Sequence, residues 1–305
     1  MESVIDVMQE NQRHVSVMKK EVLDYLNLSA GDCFVDCTIG LGGHCQLLKE
    51  KIGAGGKIIG IDRDRNALRN AEENLSSFSG QIHLIYDDFR NIDKILDSLG
   101  IVQVDGMLLD LGISSLQLDD PQRGFSIQGD GPLDMRMDQD RGLSAFDLIN
   151  TLSQHEISLI LKNFGQERMH NRIARYIVEA RSRNPIISTK ELKDIVLRAM
   201  PRSFKRQKIH PATRTFQAFR IMVNRELESL EIALDKSIDY LRQGARICVI
   251  SFHSLEDRIV KHKFRHFAKN KRLELIVKKP LRPEEFEVNQ NPRARSARLR
   301  VAEKI

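Results

Sequence analysis

Cysteine is scarce in this chain, and its copies are badly spaced for cross-linking. The 305 residues contain four cysteines, of which three fall between positions 33 and 45 and the fourth is Cys248. A fold stapled by disulfides usually has more cysteines, spread more evenly along the chain. We therefore expect a reducing, cytoplasmic setting.

Long apolar runs are missing as well. Nowhere do eighteen apolar residues follow one another, and residues 1–20 show neither an apolar signal core nor an arginine-rich, acid-poor transit pattern. We therefore expect a soluble, untargeted protein with no membrane partner. The chain has no internal repeat, and its sequence leaves the oligomeric state open.

Charge, in contrast, is abundant. Charged residues make up 30% of the chain, the formal net charge is +6, and 41% of the residues are hydrophobic. The basic excess permits a nucleic-acid partner without demonstrating one. A chain of this length and composition suits one large domain accompanied by a smaller one.

Residues 20–110 alternate between amphipathic helical stretches and short apolar runs. Helices are predicted before the first strand and between the later ones, and the strands are predicted at 32–36, 57–62, 82–86 and 106–111. Repeated βα units of this kind favour an α/β fold with a mostly parallel, doubly wound sheet.

The pattern changes after residue 112. Residues 112–143 are rich in Gly, Asp, Pro, Gln and Arg and have no strand or helix period, and a loop of this length is usually functional. Helices without intervening strands follow at 145–152, 153–164, 167–184 and 188–200. The second of these begins with Ser153 as a cap and Glu156 three positions later.

The α/β pattern then resumes. A long helix is predicted at 215–241, followed by a strand at 246–251, a helix at 255–267 and strands at 273–278 and 298–302. The sequence thus predicts a sheet domain built from residues 1–112 and 211–305. Residues 113–210 form an inserted, mostly helical domain on the substrate side.

The segment 33–45 raises a choice between a metal site and a cofactor site. Cys33, Cys37, His44 and Cys45 could be drawn as zinc ligands, but they straddle a predicted strand instead of forming C-x₂₋₄-C knuckles. Cys33, Val35 and Cys37 share one strand face, where small buried hydrophobic side chains are expected. We therefore predict no metal here.

The cofactor alternative fits the surroundings of the glycines. A strand, the turn Gly40-Leu-Gly42-Gly43, a helix and the acid Asp62 at the end of the next strand form the mononucleotide-binding arrangement of doubly wound sheets. Glycine suits a tight turn that a ligand approaches closely. Asp62 is placed to accept hydrogen bonds from both ribose hydroxyls.

The identity of the cofactor depends on the residues around the turn. A dinucleotide fingerprint needs Gly or Ala where Cys45 stands, and Asp36 is unfavourable beside a phosphate but favourable beside a sulfonium or an ammonium. A third acid, Asp110, ends the fourth strand. The pattern favours S-adenosylmethionine over a nicotinamide dinucleotide, although Asp36 and Asp62 could instead serve as helix caps or solvated turn residues.

Motifs spread over nearly the whole chain carry a family resemblance. They lie at residues 14–17 (HVSV), 36–44 (DCTIGLGGH), 60–64 (GIDRD), 108–115 (LLDLGISS), 117–120 (QLDD), 123–126 (RGFS), 130–138 (DGPLDMRMD), 164–168 (FGQER), 210–217 (HPATRTFQ), 251–258 (SFHSLEDR) and 291–300 (NPRARSARLR). In these segments the chain resembles the MraW family of bacterial 16S rRNA cytosine-N4 methyltransferases.

The resemblance implies a Rossmann-like class I methyltransferase core with a helical insert. It also implies S-adenosylmethionine as cofactor and, as substrate, a cytidine in the decoding region of 16S rRNA of the small ribosomal subunit. By position it places the cofactor on Gly42, Gly43, His44, Asp62, Phe89, Asp110 and Gln117. One departure is Leu116, which stands where the family often has proline.

Methylation of an exocyclic amine sets its own requirements. The nitrogen is a poor nucleophile because its lone pair is delocalised, so the site must accept its hydrogens and hold it in line with the methyl carbon. Many amino-group methyltransferases place Asp or Asn, two prolines and an aromatic residue at the fourth strand end. Here that position holds Asp110-Leu-Gly-Ile-Ser-Ser115. We predict that Asp110 orients the cofactor or the amine and that Ser114 or Ser115 assists the amine.

Two further residues have alternative roles. His253 follows a predicted strand. In a functional role it contacts the base or takes a proton through water, and in the structural alternative it caps the next helix. Phe125 either stacks on an extruded base or anchors the long loop.

Two basic stretches suit a phosphate backbone, although each could be merely a solvated face. The first spans residues 201–214 and contains Arg202, Lys205, Arg206, Lys208 and Arg214; the second contains Arg293, Arg295, Arg298 and Arg300. We expect the first stretch to contact RNA.

The rival functions are a nicotinamide-dependent oxidoreductase, a methyltransferase acting on another RNA or DNA base, and a non-catalytic RNA-binding module.

Overall fold

The chain forms two compact units. The computed structural model describes residues 16–201 and 209–305. The first unit, the sheet unit, comprises the chain up to Gly112 together with Ser229–Ile305, and the second, the helical unit, comprises Ile113–Glu228. The helical unit therefore ends at residue 228, and the boundary predicted at residue 210 was wrong. The reason is that Phe216 and Phe219, beyond that boundary, are buried in the core of the helical unit.

The sheet unit is built on seven strands. They are β1 Cys33–Asp36, β2 Lys57–Asp62, β3 Gln81–Tyr86, β4 Val104–Asp110, β5 Leu241–Ser251, β6 Leu273–Leu275 and β7 Arg298–Lys304. Their order in the sheet is β3-β2-β1-β4-β5-β7-β6. Strands β1 to β5 pair in parallel, whereas β7 runs antiparallel to β5 and β6. The predicted doubly wound, mostly parallel, Rossmann-like sheet is confirmed.

The helices of the described residues are numbered in chain order through both units. They are α1 Lys19–Leu26, α2 Gly43–Ile52, α3 Arg65–Leu75, α4 Ile92–Ser98, α5 Ser115–Asp119, α6 Ala145–Thr151, α7 Gln154–Gly165, α8 His170–Arg181, α9 Thr189–Ala199, α10 Thr213–Asn224, α11 Glu226–Tyr240, α12 Ser254–Lys269 and α13 Glu285–Gln290. Within these described ranges, no helix has both the length and the apolar character that crossing a bilayer requires.

Both faces of the sheet are buried. On one face Val35, Ile59 and Met107 belong to a core cluster that extends to α4, α11 and α12. On the other face Phe34 and Leu108 belong to a second cluster that includes residues of α1, α2 and α3. Burial on both sides explains why the strands are apolar runs instead of alternating patterns.

The helices α6, α7 and α9 begin as their sequences predict. Ser144, Ser153 and Ser188 each cap a helix, and an acid three positions later completes the capping box. In each box the serine oxygen accepts a backbone N–H that would otherwise lack a partner at the helix start. These three serines therefore stabilise the starts of α6, α7 and α9.

Two predictions about elements were wrong. The supposedly irregular residues 112–143 contain α5 and a 3₁₀ turn at Pro121–Arg123, which are too short to produce a detectable period. The single helix predicted at 215–241 is broken at Arg225, whose φ of 50° lies in the left-handed region. Helix α10 ends there, and α11 begins at Glu226.

Candidate active site

Three acids lie at the same edge of the sheet. Asp62, Asp36 and Asp110 are the last residues of β2, β1 and β4, three strands that are neighbours in that order. Because these strands are parallel, their carboxyl ends meet at one edge. This edge is where ligands bind in doubly wound sheets, at the point where the strand order reverses.

The glycine turn between β1 and α2 closes over this edge. Gly40 and Gly42 have φ values of 52° and 77°, which disfavour any residue with a Cβ. The backbone N–H of Gly40 donates to Asp62 Oδ2 at 3.0 Å. A Cβ on Gly43 would lie 2.1 Å from Ser16 Oγ, so Ser16 packs closely on Gly43 and its hydroxyl would have to move for any larger residue.

Asp36 is almost completely withdrawn from solvent, with 1% of its surface exposed. Its Oδ1 accepts the Thr38 N–H at 3.1 Å, and its Oδ2 lies 3.5 Å from the Cys45 thiol, which donates to it. Burial raises the pKa of Asp36 to about 6, although nearby His44 opposes the rise. Burial therefore makes the charged form of this carboxylate unfavourable in free energy, and a cation nearby would reduce that penalty.

Asp62 is similarly constrained. Its Oδ2 accepts the N–H of Gly40, and its Oδ1 accepts the N–H of Asp64 at 2.9 Å. Burial raises the pKa of Asp62 to about 6 against these two hydrogen bonds. Each carboxylate oxygen has a further lone pair, so the fixed carboxylate can still accept two hydroxyl donors.

His44 and Asp110 form a pair in the same place. His44 Nε2 lies 3.3 Å from Asp110 Oδ2, and the backbone N–H of Asp110 donates to Thr38 Oγ1 at 2.7 Å. His44 Nδ1 and Asp110 Oδ1 are both buried, and neither atom has a hydrogen-bond partner among the described residues. Since buried polar atoms are normally paired, these two mark a position for a polar ligand.

The cysteines fill space in the core, as the strand pattern predicts. Cys37 lies in one sheet cluster with Val35, and Cys33 packs against the same cluster. Cys45, in the first turn of α2, lies in the cluster on the opposite face. All four cysteines are within the described residues and are free thiols. Burial raises the pKa of Cys37 and Cys45, which keeps both thiols protonated.

Ser114 and Gln117 have structural partners within the helical unit. The Gln117 N–H donates to Ser114 Oγ at 3.2 Å, and the Ser114 N–H donates to Gln117 Oε1 at 3.1 Å. This reciprocal capping box starts α5 at Ser115 and buries Gln117. The roles predicted for Ser114 and Ser115 at the amine, and for Gln117 at the cofactor, remain predictions.

His253 caps α12, which is the structural alternative left open by the sequence. Its Nδ1 accepts the Glu256 N–H at 3.4 Å, and its own N–H donates to Glu256 Oε2 at 3.3 Å. The Glu256 carboxylate also lies 3.1 Å from His253 Nε2. Any direct part of His253 in proton transfer stays a prediction.

The two phenylalanines singled out in the sequence are both buried. Phe89 opens a 3₁₀ turn after β3 and packs in the sheet core with Ile61 and Ile92, while the Arg63 guanidinium lies 5.8 Å from its ring centre. Phe125 lies in the core of the helical unit, so it anchors the long loop.

The basic stretches have different outcomes. Arg202, Lys205, Arg206 and Lys208 lie outside the described residues. In the second stretch, Arg298 and Arg300 bind the two carboxylate oxygens of Asp257 at 3.0 and 2.7 Å. Those two arginines therefore stabilise the sheet unit, whereas Arg293 and Arg295 are exposed.

Comparison with known proteins assigns the chain to a family. The family model described as the MraW methylase family matches residues 11–305. The chain belongs to the MraW methylase family. Ribosomal RNA small subunit methyltransferase H of Pelobacter propionicus is 48% identical over 309 residues, covering 96% of this chain and 99% of that protein.

Other relatives agree with this assignment. The protein of the same name from Clostridium botulinum is 44% identical over 308 residues, covering 96% of this chain and 99% of its own length. The one from Halothermothrix orenii is 45% identical over 307 residues, covering 96% and 98%. The resemblance to the MraW family is thus confirmed.

Sequence reasoning missed three residues that lie at or near the glycine turn of this MraW methylase. Thr38 joins the ends of β1 and β4 through its hydroxyl, and Ser16 lies against Gly43. Glu287 of α13 accepts the Met18 N–H at 2.6 Å. A hydroxyl residue two positions after the end of β1 is a weak signal for Thr38. Ser16 lies in the 14–17 motif, but the contacts of Ser16 and Glu287 join parts of the chain that are far apart in sequence, so the sequence does not predict them.

Proposed function

We propose that this MraW methylase transfers a methyl group from S-adenosylmethionine to the N4 atom of a cytidine in the decoding region of 16S rRNA, acting on the small ribosomal subunit. Membership of a methylase family supports the methyl donor, and the names of the relatives support the ribosomal substrate. The unpartnered atoms of His44 and Asp110 at the glycine turn are the observation that carries the proposal.

The donor groups around the turn fit the amino-acid end of S-adenosylmethionine. Asp110 Oδ1 is a buried acceptor that suits an ammonium, and His44 Nδ1, when protonated, is a buried donor that suits a carboxylate. Asp36 adds a second buried carboxylate, and a cation nearby would stabilise its charged form, which burial disfavours. A nucleotide phosphate would instead meet two acids at this edge.

Asp62 fits the ribose of the same cofactor. Backbone N–H groups of Gly40 and Asp64 fix its carboxylate, and the remaining lone pairs can accept the two ribose hydroxyls. Phe89 is proposed to border the adenine, with Gln117 at the far side of the cofactor. When bound, S-adenosylmethionine supplies an electrophilic methyl group on a sulfonium.

Asp110 has an alternative role, in which the same Oδ1 atom faces the amine of the substrate instead of the ammonium of the cofactor. Thr38 fixes its backbone, and His44 holds one carboxylate oxygen, so the second oxygen has a defined direction. A carboxylate that accepts a hydrogen bond from the amino group of cytosine favours localisation of the lone pair on the nitrogen, which can then attack the methyl carbon. We include Ser114, Ser115 and His253 in the proposal as groups that assist the amine or its proton.

The test compares two asparagine variants on the same strand. Asp110→Asn should lower turnover on small subunits by about 100-fold or more, since it removes one positioned carboxylate. Asp105→Asn, at the opposite end of β4, serves as the matched control and should retain turnover. Calorimetry separates the roles: weaker binding of S-adenosylmethionine assigns Asp110 to the cofactor, and unchanged binding assigns it to the amine. Full activity of Asp110→Asn would refute its role.

A further inference from the structure

Phe286 in α13 is unusually exposed for an aromatic residue. Its relative exposure is 70%, compared with 38% for Phe146. A single exposed apolar side chain is common on protein surfaces, so its meaning depends on the groups that surround it. The question is which kind of molecule this position suits.

Residues 278–297, here named the α13 segment, hold Phe286 on a fixed base. The backbone of Leu281 exchanges hydrogen bonds of 2.9 and 3.0 Å with Leu299 of β7. Beyond α13, Ala294 and Ala297 are completely or almost completely buried in the sheet unit. Phe286 is therefore presented by an anchored segment, which limits the entropy that a partner must remove on binding.

The same segment lies beside the glycine turn. Glu287, next to Phe286, accepts the Met18 N–H at 2.6 Å. Ser16, two residues before Met18, lies against Gly43 of the glycine turn. Burial raises the pKa of Glu287, and His44 is among the charged groups that oppose the rise. Glu287 thus ties α13 to the edge of the sheet that carries the proposed methyl-donor site.

The charges around Phe286 favour an anionic partner at the flanks of the helix. Exposed basic side chains precede and follow α13, and they are Lys278, Lys279, Arg282, Arg293 and Arg295. Glu284, Glu285 and Glu287 adjoin Phe286 in the sequence, so the positive charge of the segment lies in the stretches before and after the helix and not directly beside Phe286. Basic side chains on both sides of an exposed aromatic ring are typical of surfaces that stack a base and bind its phosphates.

We propose that the α13 segment is a contact surface for single-stranded RNA, in which Phe286 stacks on an unpaired base and the flanking basic residues bind phosphates. The proposal rests on the RNA substrate proposed above and adds the place where that RNA lies against the sheet unit. A stacked base held beside the glycine turn would position the strand whose cytidine enters the site.

The test measures binding of a fluorescein-labelled, single-stranded oligoribonucleotide of about 12 nucleotides to the full chain by fluorescence anisotropy. Phe286→Ala should raise the Kd for RNA by roughly 5-fold to 100-fold, the range expected for one lost base-stacking contact. Phe286→Tyr should bind like the unchanged chain, and Phe286→Leu should bind like the alanine variant. Val102→Ala, at another exposed apolar position, is the control and should have no effect.

Two controls separate this proposal from the proposed function. The Kd for S-adenosylmethionine should be unchanged in Phe286→Ala, so a loss of RNA binding would not come from a damaged cofactor site. An unchanged Kd for RNA in that variant would overturn the proposal, even if methylation of rRNA were established. Sedimentation showing that the variant only loses self-association would also overturn it, because the ring would then contact a second copy of the chain.

Discussion

Asp36 is the residue whose surroundings oppose its charge most clearly. It is buried at the end of β1, its oxygens accept only one backbone N–H and one thiol in the contacts described above, and burial raises its pKa to about 6. Such a group weakens the folded state and is retained where function needs it. Its electrostatic cost can therefore be measured.

Asp36→Asn should stabilise the free protein increasingly as the pH rises. The folded state binds the Asp36 proton more tightly than the unfolded state, so the wild-type chain loses free energy of unfolding between about pH 4 and pH 6. The difference between variant and wild type should grow to roughly 1 to 3 kcal/mol at neutral pH, measured by urea unfolding. Asp24→Asn, on an exposed part of α1, is the control. A pH-independent difference would contradict the assignment.

The sequence predicts the acids of this site better than their supports. Asp36, Asp62 and Asp110 could be found because each ends an apolar run, and parallel strands bring such ends together. Thr38 has only a weak local signal. Ser16 contacts Gly43 and Glu287 accepts the Met18 N–H through contacts that only the folded chain creates, so the sequence does not reveal these contacts.

At the scale of elements, helix starts are well determined by sequence. Ser153 and Glu156 form the capping box that their spacing predicts, and α7 begins at Gln154. Helix breaks are less predictable. Arg225 separates α10 from α11 in a left-handed conformation, yet no glycine or asparagine stands there to signal it.

Ser153→Ala should lower the free energy of unfolding by about 1 kcal/mol, because one backbone N–H at the start of α7 loses its acceptor. Ser153→Thr retains a hydroxyl and should recover most of the loss. Hydrogen exchange of the first-turn amides of α7 reports the local effect, and urea unfolding reports the total. Equal destabilisation by alanine and threonine would show that the cap is not the cause.

At the scale of the molecule, sequence predicts the fold class well and the division of the chain less well. The doubly wound sheet follows from repeated βα units, which local periodicity reveals. The helical unit extends to residue 228 because α10 buries Phe216 and Phe219 in the core of that unit. The sequence of an amphipathic helix shows that one face is buried, but it does not show which core that face joins. The three acids of the candidate site lie at strand ends of the doubly wound sheet, so their position could be predicted from the sequence.

The central claim is methylation of a cytidine N4 atom in small-subunit rRNA. The most direct measurement incubates the full chain with methyl-labelled S-adenosylmethionine and small subunits from cells that lack this protein, then digests the 16S rRNA and identifies the labelled nucleoside by chromatography and mass spectrometry. The account predicts label in N4-methylcytidine from one position of the decoding region. Label in 5-methylcytidine, in adenosine, in protein or in DNA, or cofactor binding without any transfer, would contradict it.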